Sequence, residues 1–291
     1  MHLELVQATT PDGLRLWGAL SRCAAQPASR LVIGLHGVAS NFYASTMMQS
    51  LADSLCQAGL DVLRVNTRGH DTCCTIGAAD GARRLGAAFE IVDDCRHDIA
   101  GWVELARQRG YRQLILMGHS LGALKVIYSE AHDPTNEVSA VIALSPPRLS
   151  CQAFMAAETS SQFGEALRLA QQRVEQDRGE ELIEIRFPVP LLITARGFLD
   201  KYGPGERYNI LQFISRLRTP LLVTYGSQEL EQRSIAFAGL SDAITHATAN
   251  DPDWPGRVDV IEGADHHYSH CREELASLLT EWLGERSEVS G

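Results

Sequence analysis

Between Leu114 and Tyr128 the chain reads "LILMGHSLGALKVIY", an apolar run broken by Gly118-His119-Ser120-Leu121-Gly122. Strand-like residues before a G-x-S-x-G pattern and helix-like residues after it are the setting of a nucleophile elbow. The turn is too tight for side chains at the flanking positions, which accounts for the glycines on either side of Ser120. The serine then stands at the carboxyl end of a strand beside a helix N-terminus, where a backbone N–H and the positive helix end can stabilise an oxyanion. A serine hydroxyl alone is a poor nucleophile, so the pattern also predicts a base and a group that orients the base.

Those partners should follow the serine in the chain order acid, then histidine. In "VIEGADHHYSH", His266 lies just past the last strand-like run, in a loop before the last helix, where a base would overhang the sheet; His267 and His270 compete for the role. The first carboxylate after the run "PLLVTYG" is Glu229, with Glu231 two residues on and Asp242 as a substitute. Asp200 would need an unusual loop path. A carboxylate at position 229 would accept the imidazole Nδ1–H and stabilise the imidazolium. The second half of an oxyanion hole is expected after "LVIGL", where His36-Gly37-Val38 follows, so the two donors are assigned to the backbone N–H groups of Val38 and Leu121. His36 itself reads as a structural hydrogen-bonding residue. The three histidines near 266 lack the i, i+4 helical pair with a glutamate that a zinc hydrolase would show, and neither metal nor cofactor is expected.

Elements of the right kind surround these residues. Two short strand-like runs flank the turn "TPDG" (10–13) and predict an N-terminal hairpin. Strand and helix patterns then alternate: strands at 31–35, 61–65, 113–117 and 138–144, helices at 46–59, 93–110 and from 121. Such alternation implies right-handed crossovers and a mainly parallel sheet. After "SPP" (145–147) it stops for about 70 residues, then resumes with a strand at 219–227, helical residues near 231–249, a strand at 257–263 and a helix at 272–284. The interruption reads as an insertion at 147–215 into a core of 1–146 and 216–291. The tail 284–291 reads as loose.

At 291 residues, 45% of them hydrophobic and 21% charged, the chain suits one elaborated globular domain. A net charge of −10 argues against a nucleic-acid surface, which needs a clustered basic face. The start "MHLELVQATTPDGLRL" has no basic segment followed by an apolar stretch, so no signal peptide is expected. No apolar run approaches about 18 residues, so no membrane span is expected either. Seven cysteines, an odd number without a C-x-x-C pair, predict reduced thiols in a cytoplasmic setting. Adjacent Cys73 and Cys74 are poorly placed for a disulfide.

Taken together, "LHG" (35–37), "NTRGHD" (66–71), "GHSLG" (118–122), "PLLVTYGSQE" (220–229) and "GADHH" (263–267) resemble the motifs of α/β-hydrolases, in family order over nearly the whole chain. The resemblance implies an α/β three-layer sandwich with a mostly parallel eight-stranded sheet and a mainly helical lid inserted after the sixth strand. Within that superfamily some members carry a carboxylate where Ser120 stands, and the serine here implies an acyl-enzyme formed from an ester, thioester, lactone or, less often, an amide. Two departures stand out: Glu229 occupies a position where the family more often has Asp, and Ser145 ends the sixth strand where some members carry the acid.

The expected activity is therefore hydrolysis of a small to medium, partly apolar acyl substrate. Acyl transfer, cofactor-free peracid formation and carbon–carbon cleavage use the same three residues and stay open, as does a non-catalytic ligand receptor on the same fold. Aromatic residues of the insertion, Phe154, Phe163, Phe198 and Tyr202, are candidates for the acyl pocket, with Phe42 and Tyr43 at its rim. Lys201, one of only two lysines, could recognise a carboxylate, though nothing else in the sequence supports that role.

Overall fold

A computed structural model gives the fold, described for residues 2–23, 28–134, 138–158, 160–232 and 234–286. Twelve strands are described: β1 (His2–Thr9), β2 (Arg15–Arg22), β3 (Arg30–Leu35), β4 (Asp61–Val65), β5 (Cys74–Ala78), β6 (Gly81–Leu85), β7 (Gln113–His119), β8 (Ala140–Leu144), β9 (Leu182–Ile185), β10 (Leu191–Thr194), β11 (Leu221–Gly226) and β12 (Gly256–Ile261). The α-helices are α1 (Thr46–Gln57), α2 (Cys95–Gln108), α3 (Leu121–His132), α4 (Cys151–Met155), α5 (Ser160–Glu175), α6 (Ala195–Tyr202), α7 (Ser227–Glu231), α8 (Leu240–Thr248) and α9 (Arg272–Glu285).

Eight strands form one sheet in the order β1-β2-β4-β3-β7-β8-β11-β12. Pairing is parallel from β4 through β12, whereas β2 runs antiparallel to both β1 and β4. Every residue of β4, β8 and β11 is buried, because helices cover both faces of the parallel region. Alternation along β3 divides the two layers of core. Leu31, Ile33 and Leu35 pack toward α2 and α3, while Val32 packs with Met48 and Leu51 of α1 and with Leu275, Leu279 and Trp282 of α9.

Between β8 and β11, after the sixth strand of the sheet, come α4, α5, the antiparallel hairpin β9-β10, and α6. A second antiparallel hairpin, β5-β6, follows β4. Neither hairpin is visible as strand alternation in the sequence, since β6 is mostly exposed and β9 pairs only with β10. The helical run near 231–249 resolves into the short α7 and the separate α8.

Two expectations are corrected. Cys23 and Cys56 are joined in a disulfide, with Cα atoms 5.2 Å apart, while Cys73, Cys74, Cys95, Cys151 and Cys271 are free. The residue after β2 and the last turn of α1 come together in the fold, a proximity that cysteine counting cannot see, and the argument from reduced thiols to a cytoplasmic setting falls with it. Gly284 belongs to α9 rather than to a loose tail, and 287–291 lie outside the described residues. No helix among the described residues is long and apolar enough to cross a membrane.

Candidate active site

Ser120 lies between β7 and α3 at φ 55° and ψ −122°, with its N–H donating to the Leu144 carbonyl at 2.8 Å. Positive φ is costly for a non-glycine residue and persists only where the surroundings enforce it. Here the two flanking glycines do so. A Cβ on Gly118 would stand 2.2 Å from the Gly122 carbonyl oxygen, and one on Gly122 would stand 2.5 Å from that of His36. The elbow closes only with both side chains absent.

His266 sits on the turn after β12, and its Nδ1 lies 2.7 Å from Glu229 Oε2. Glu229, on α7 directly after β11, is buried, and its Oε1 accepts hydrogen bonds from Ser145 Oγ at 2.5 Å and from the Gly226 N–H at 2.9 Å. Ser145 also meets the Tyr268 hydroxyl at 2.9 Å, which in turn meets Thr224 Oγ1 at 2.8 Å. The carboxylate is thus held by three groups, the Gly226 N–H at the end of β11, Ser145 just past β8 and His266 of the histidine loop, with Tyr268 and Thr224 bracing Ser145. His119 Nε2–H donates to the His266 carbonyl at 2.8 Å and braces that loop from the elbow side.

Ser120, His266, Val38 and Leu121 line one cavity of about 760 Å³, part of whose wall comes from Phe154 and Tyr202 of the segment between β8 and β11. The sequence profile of the serine aminopeptidase S33 family matches residues 26–185, more than half of the chain. The chain belongs to that family, and it is an α/β-hydrolase.

A search of curated proteins finds no match to this hydrolase. Among solved structures it is similar to Est1E from Butyrivibrio proteoclasticus with ferulic acid bound, at 17% identity and a TM-score of 0.66 over 97% of this chain and 99% of that one. The esterase Pf2001 from Pyrococcus furiosus is 16% identical, with a TM-score of 0.64 over 99% and 91%. The α/β-hydrolase GrgF from Penicillium sp. sh18 is 17% identical, with a TM-score of 0.71 over 99% of each chain. At these identities the likeness is one of fold.

Of the aromatic residues named from sequence, Phe154 and Tyr202 reach the hydrolase's cavity. Phe163 and Phe198 do not line it: both are fully buried in the insertion's own aromatic cluster, their centroids 5.8 Å apart. Phe42 and Tyr43 also fall outside the lining. Their segment is turned toward β4, with the Phe42 N–H on Asn66 Oδ1 and its carbonyl on Arg64, and Tyr43 is exposed. Lys201 is buried against Glu90 rather than open to substrate. Asp242 is exposed on α8 and Asp200 accepts from the Val92 N–H, so neither approaches His266. Among the described residues no three His, Cys, Asp or Glu side chains cluster as a metal site.

Contributions missed in the sequence are Ser145, Tyr268 and His119. The first was legible as the residue ending the sixth strand, the position nearest the acid in space.

Two histidines of the hydrolase are held neutral. His36 Nε2 accepts from the Thr67 N–H at 3.1 Å, which leaves the proton on Nδ1 to donate to the Gly37 carbonyl at 2.7 Å. Burial, with the nearby Lys125 charge, lowers the His36 pKa to about 3; burial and the neighbouring His266 do the same for His119. Below the unfolded value near 6.5 the unfolded chain takes up protons that the folded chain refuses. The stability from these groups is therefore full above pH 6.5 and is lost as pH falls toward 3, at about 1.4 kcal/mol per pH unit for each group. Urea unfolding between pH 6 and 5 should show this slope, and His36→Gln should reduce it by about one proton. An unchanged slope in His36→Gln would show that His36 does not carry it.

Proposed function

We propose that this hydrolase cleaves carboxylic esters, including thioesters or lactones, through an acyl-enzyme on Ser120. The observation that carries the reading is the 2.7 Å contact between His266 Nδ1 and a Glu229 carboxylate locked in place by Ser145 and Gly226, beside the cavity that Ser120 lines. Ser120 Oγ attacks the acyl carbonyl and His266 Nε2 takes its proton, while Glu229 stabilises the imidazolium. The backbone N–H groups of Val38 and Leu121 receive the oxyanion. His266 then protonates the departing alkoxide or thiolate. Water, activated by the same imidazole, attacks the acyl-enzyme and releases the acid.

The character of the cavity supports an ester over an N-terminal peptide. Among the described residues no Asp or Glu lines it, so no carboxylate is present to bind a substrate ammonium. Its volume suits a small to medium acyl compound. The insertion at 147–215 acts as a lid over the core formed by 1–146 and 216–291, with Phe154, Pro188, Val189 and Tyr202 facing the substrate.

The test is intact-mass labelling with a fluorophosphonate. One adduct on the wild type that is absent in Ser120→Ala and in His266→Ala is the expected result. A folded wild type that takes no adduct would sink the proposal and favour a ligand receptor.

A further inference from the structure

Among the described residues, and apart from histidines, the only charged side chain lining the cavity is Arg272. It is the first residue of α9, where the helix dipole disfavours a cation and favours an acid. A second helix begins at the same wall, since Thr46, Met47 and Met48 of α1 also line the cavity. The first turn of α9 carries Glu273 and Glu274, which offset its dipole, whereas the first turn of α1 carries no acid, so a positive helix end and a guanidinium share one end of the cavity, an arrangement that favours an anion there.

Among the described residues no Asp or Glu lines the cavity to fill that place. Arg272 Nη2 donates to Thr46 Oγ1 at 3.0 Å, Nε is buried with no partner, and no described Asp or Glu forms an ion pair with it. The terminal N–H groups of Arg272 belong to a planar fork, the donor geometry that suits a carboxylate. Ser269 and Thr46 supply hydroxyls on the same wall.

We infer that Arg272 is the specificity residue of this cavity and that the substrate carries a free carboxylate, bound at Arg272 while the scissile acyl group lies at Ser120. The inference rests on the ester reading above and names its substrate class, an ester with an acid function elsewhere in the molecule.

Matched ester pairs test it: p-nitrophenyl hexanoate against p-nitrophenyl hydrogen adipate, and phenyl acetate against 4-acetoxybenzoate, each normalised to hydroxide-catalysed hydrolysis. In one pair the wild type should favour the carboxylated member about tenfold or more in kcat/KM, as a charge-assisted hydrogen bond allows. Arg272→Met should lower that ratio about tenfold to a hundredfold, and Arg272→Lys should restore part of it. Preference for the neutral member in both pairs, or a ratio in Arg272→Met within twofold of wild type, would overturn the inference.

Calorimetric titration of adipate and 4-hydroxybenzoate into Ser120→Ala protein separates the two readings. Binding lost on adding Arg272→Met, with none of the four esters turned over by the wild type, upholds the anion subsite and fails the ester reading. Turnover of neutral esters with neither carboxylate preference nor carboxylate binding does the reverse.

Discussion

Glu229→Gln is expected to lower kcat on an activated ester about 10⁴-fold while the protein stays folded. The reason lies in what else Glu229 holds. Its Oε1 accepts from both Ser145 Oγ and the Gly226 N–H, so a glutamine would keep its carbonyl oxygen there and turn its amide NH₂ toward His266. Facing a donor, Nδ1 must become an acceptor, and the imidazole proton moves to Nε2. That tautomer cannot take the Ser120 proton. Glu229→Asp keeps the charge one methylene short and should recover part of the loss, which a purely structural role for position 229 would not predict. Steady-state kinetics on p-nitrophenyl butyrate, with thermal unfolding as the check on folding, decide the point. A Glu229→Gln enzyme within tenfold of wild type would remove Glu229 from the mechanism.

The parts of this arrangement that were legible in the sequence are those with a local cause. Strands buried on both faces read as unbroken apolar runs at 31–35 and 140–144, and the elbow glycines report a close backbone approach inside a five-residue window. Glu229 and His266 were legible because each follows a readable strand. What remained hidden depends on which way an element turns. Phe163 and Phe154 are both buried aromatic residues of the insertion, yet only Phe154 reaches the cavity, and residue type says nothing about which face of a helix points inward. Cys23 and Cys56 are 33 residues apart and meet only after β2 and α1 have packed. Arg272 begins the last helix, and nothing in its neighbours in the sequence marks it as lining the cavity. Lys201, the cation that did draw notice, proves to be spent inside the protein.

That internal use of Lys201 leads to the largest expected effect on stability. Glu90 is almost fully buried, with Oε1 2.5 Å from Lys125 Nζ on α3 and Oε2 3.1 Å from Lys201 Nζ on α6. Lys125 also donates to Thr67 Oγ1. One carboxylate therefore ties the helix that follows Ser120 to α6, in the segment between β8 and β11. Its space is made by Gly69 of "NTRGHD", where a Cβ would lie 1.9 Å from Glu90 Oε1. Burial alone would raise the Glu90 pKa, but the two ammonium groups outweigh it and bring the value down to about 2.

A folded value below the unfolded 4.5 means that this stabilisation is present above pH 4.5 and is lost as pH falls toward 2. Glu90→Gln leaves two ammonium groups buried without a counter-charge and should cost about 3–5 kcal/mol in urea unfolding at pH 7. Lys201→Met should cost less, since it leaves a balanced Lys125–Glu90 pair. Removing all three charges with Glu90→Leu, Lys125→Met and Lys201→Met should recover most of the loss, because the penalty belongs to the uncompensated charge rather than to the missing pair. A Glu90→Gln protein within about 1 kcal/mol of wild type, a small fraction of what an orphaned buried charge costs, would mean that water reaches the cluster and that some other contact holds the insertion to α3.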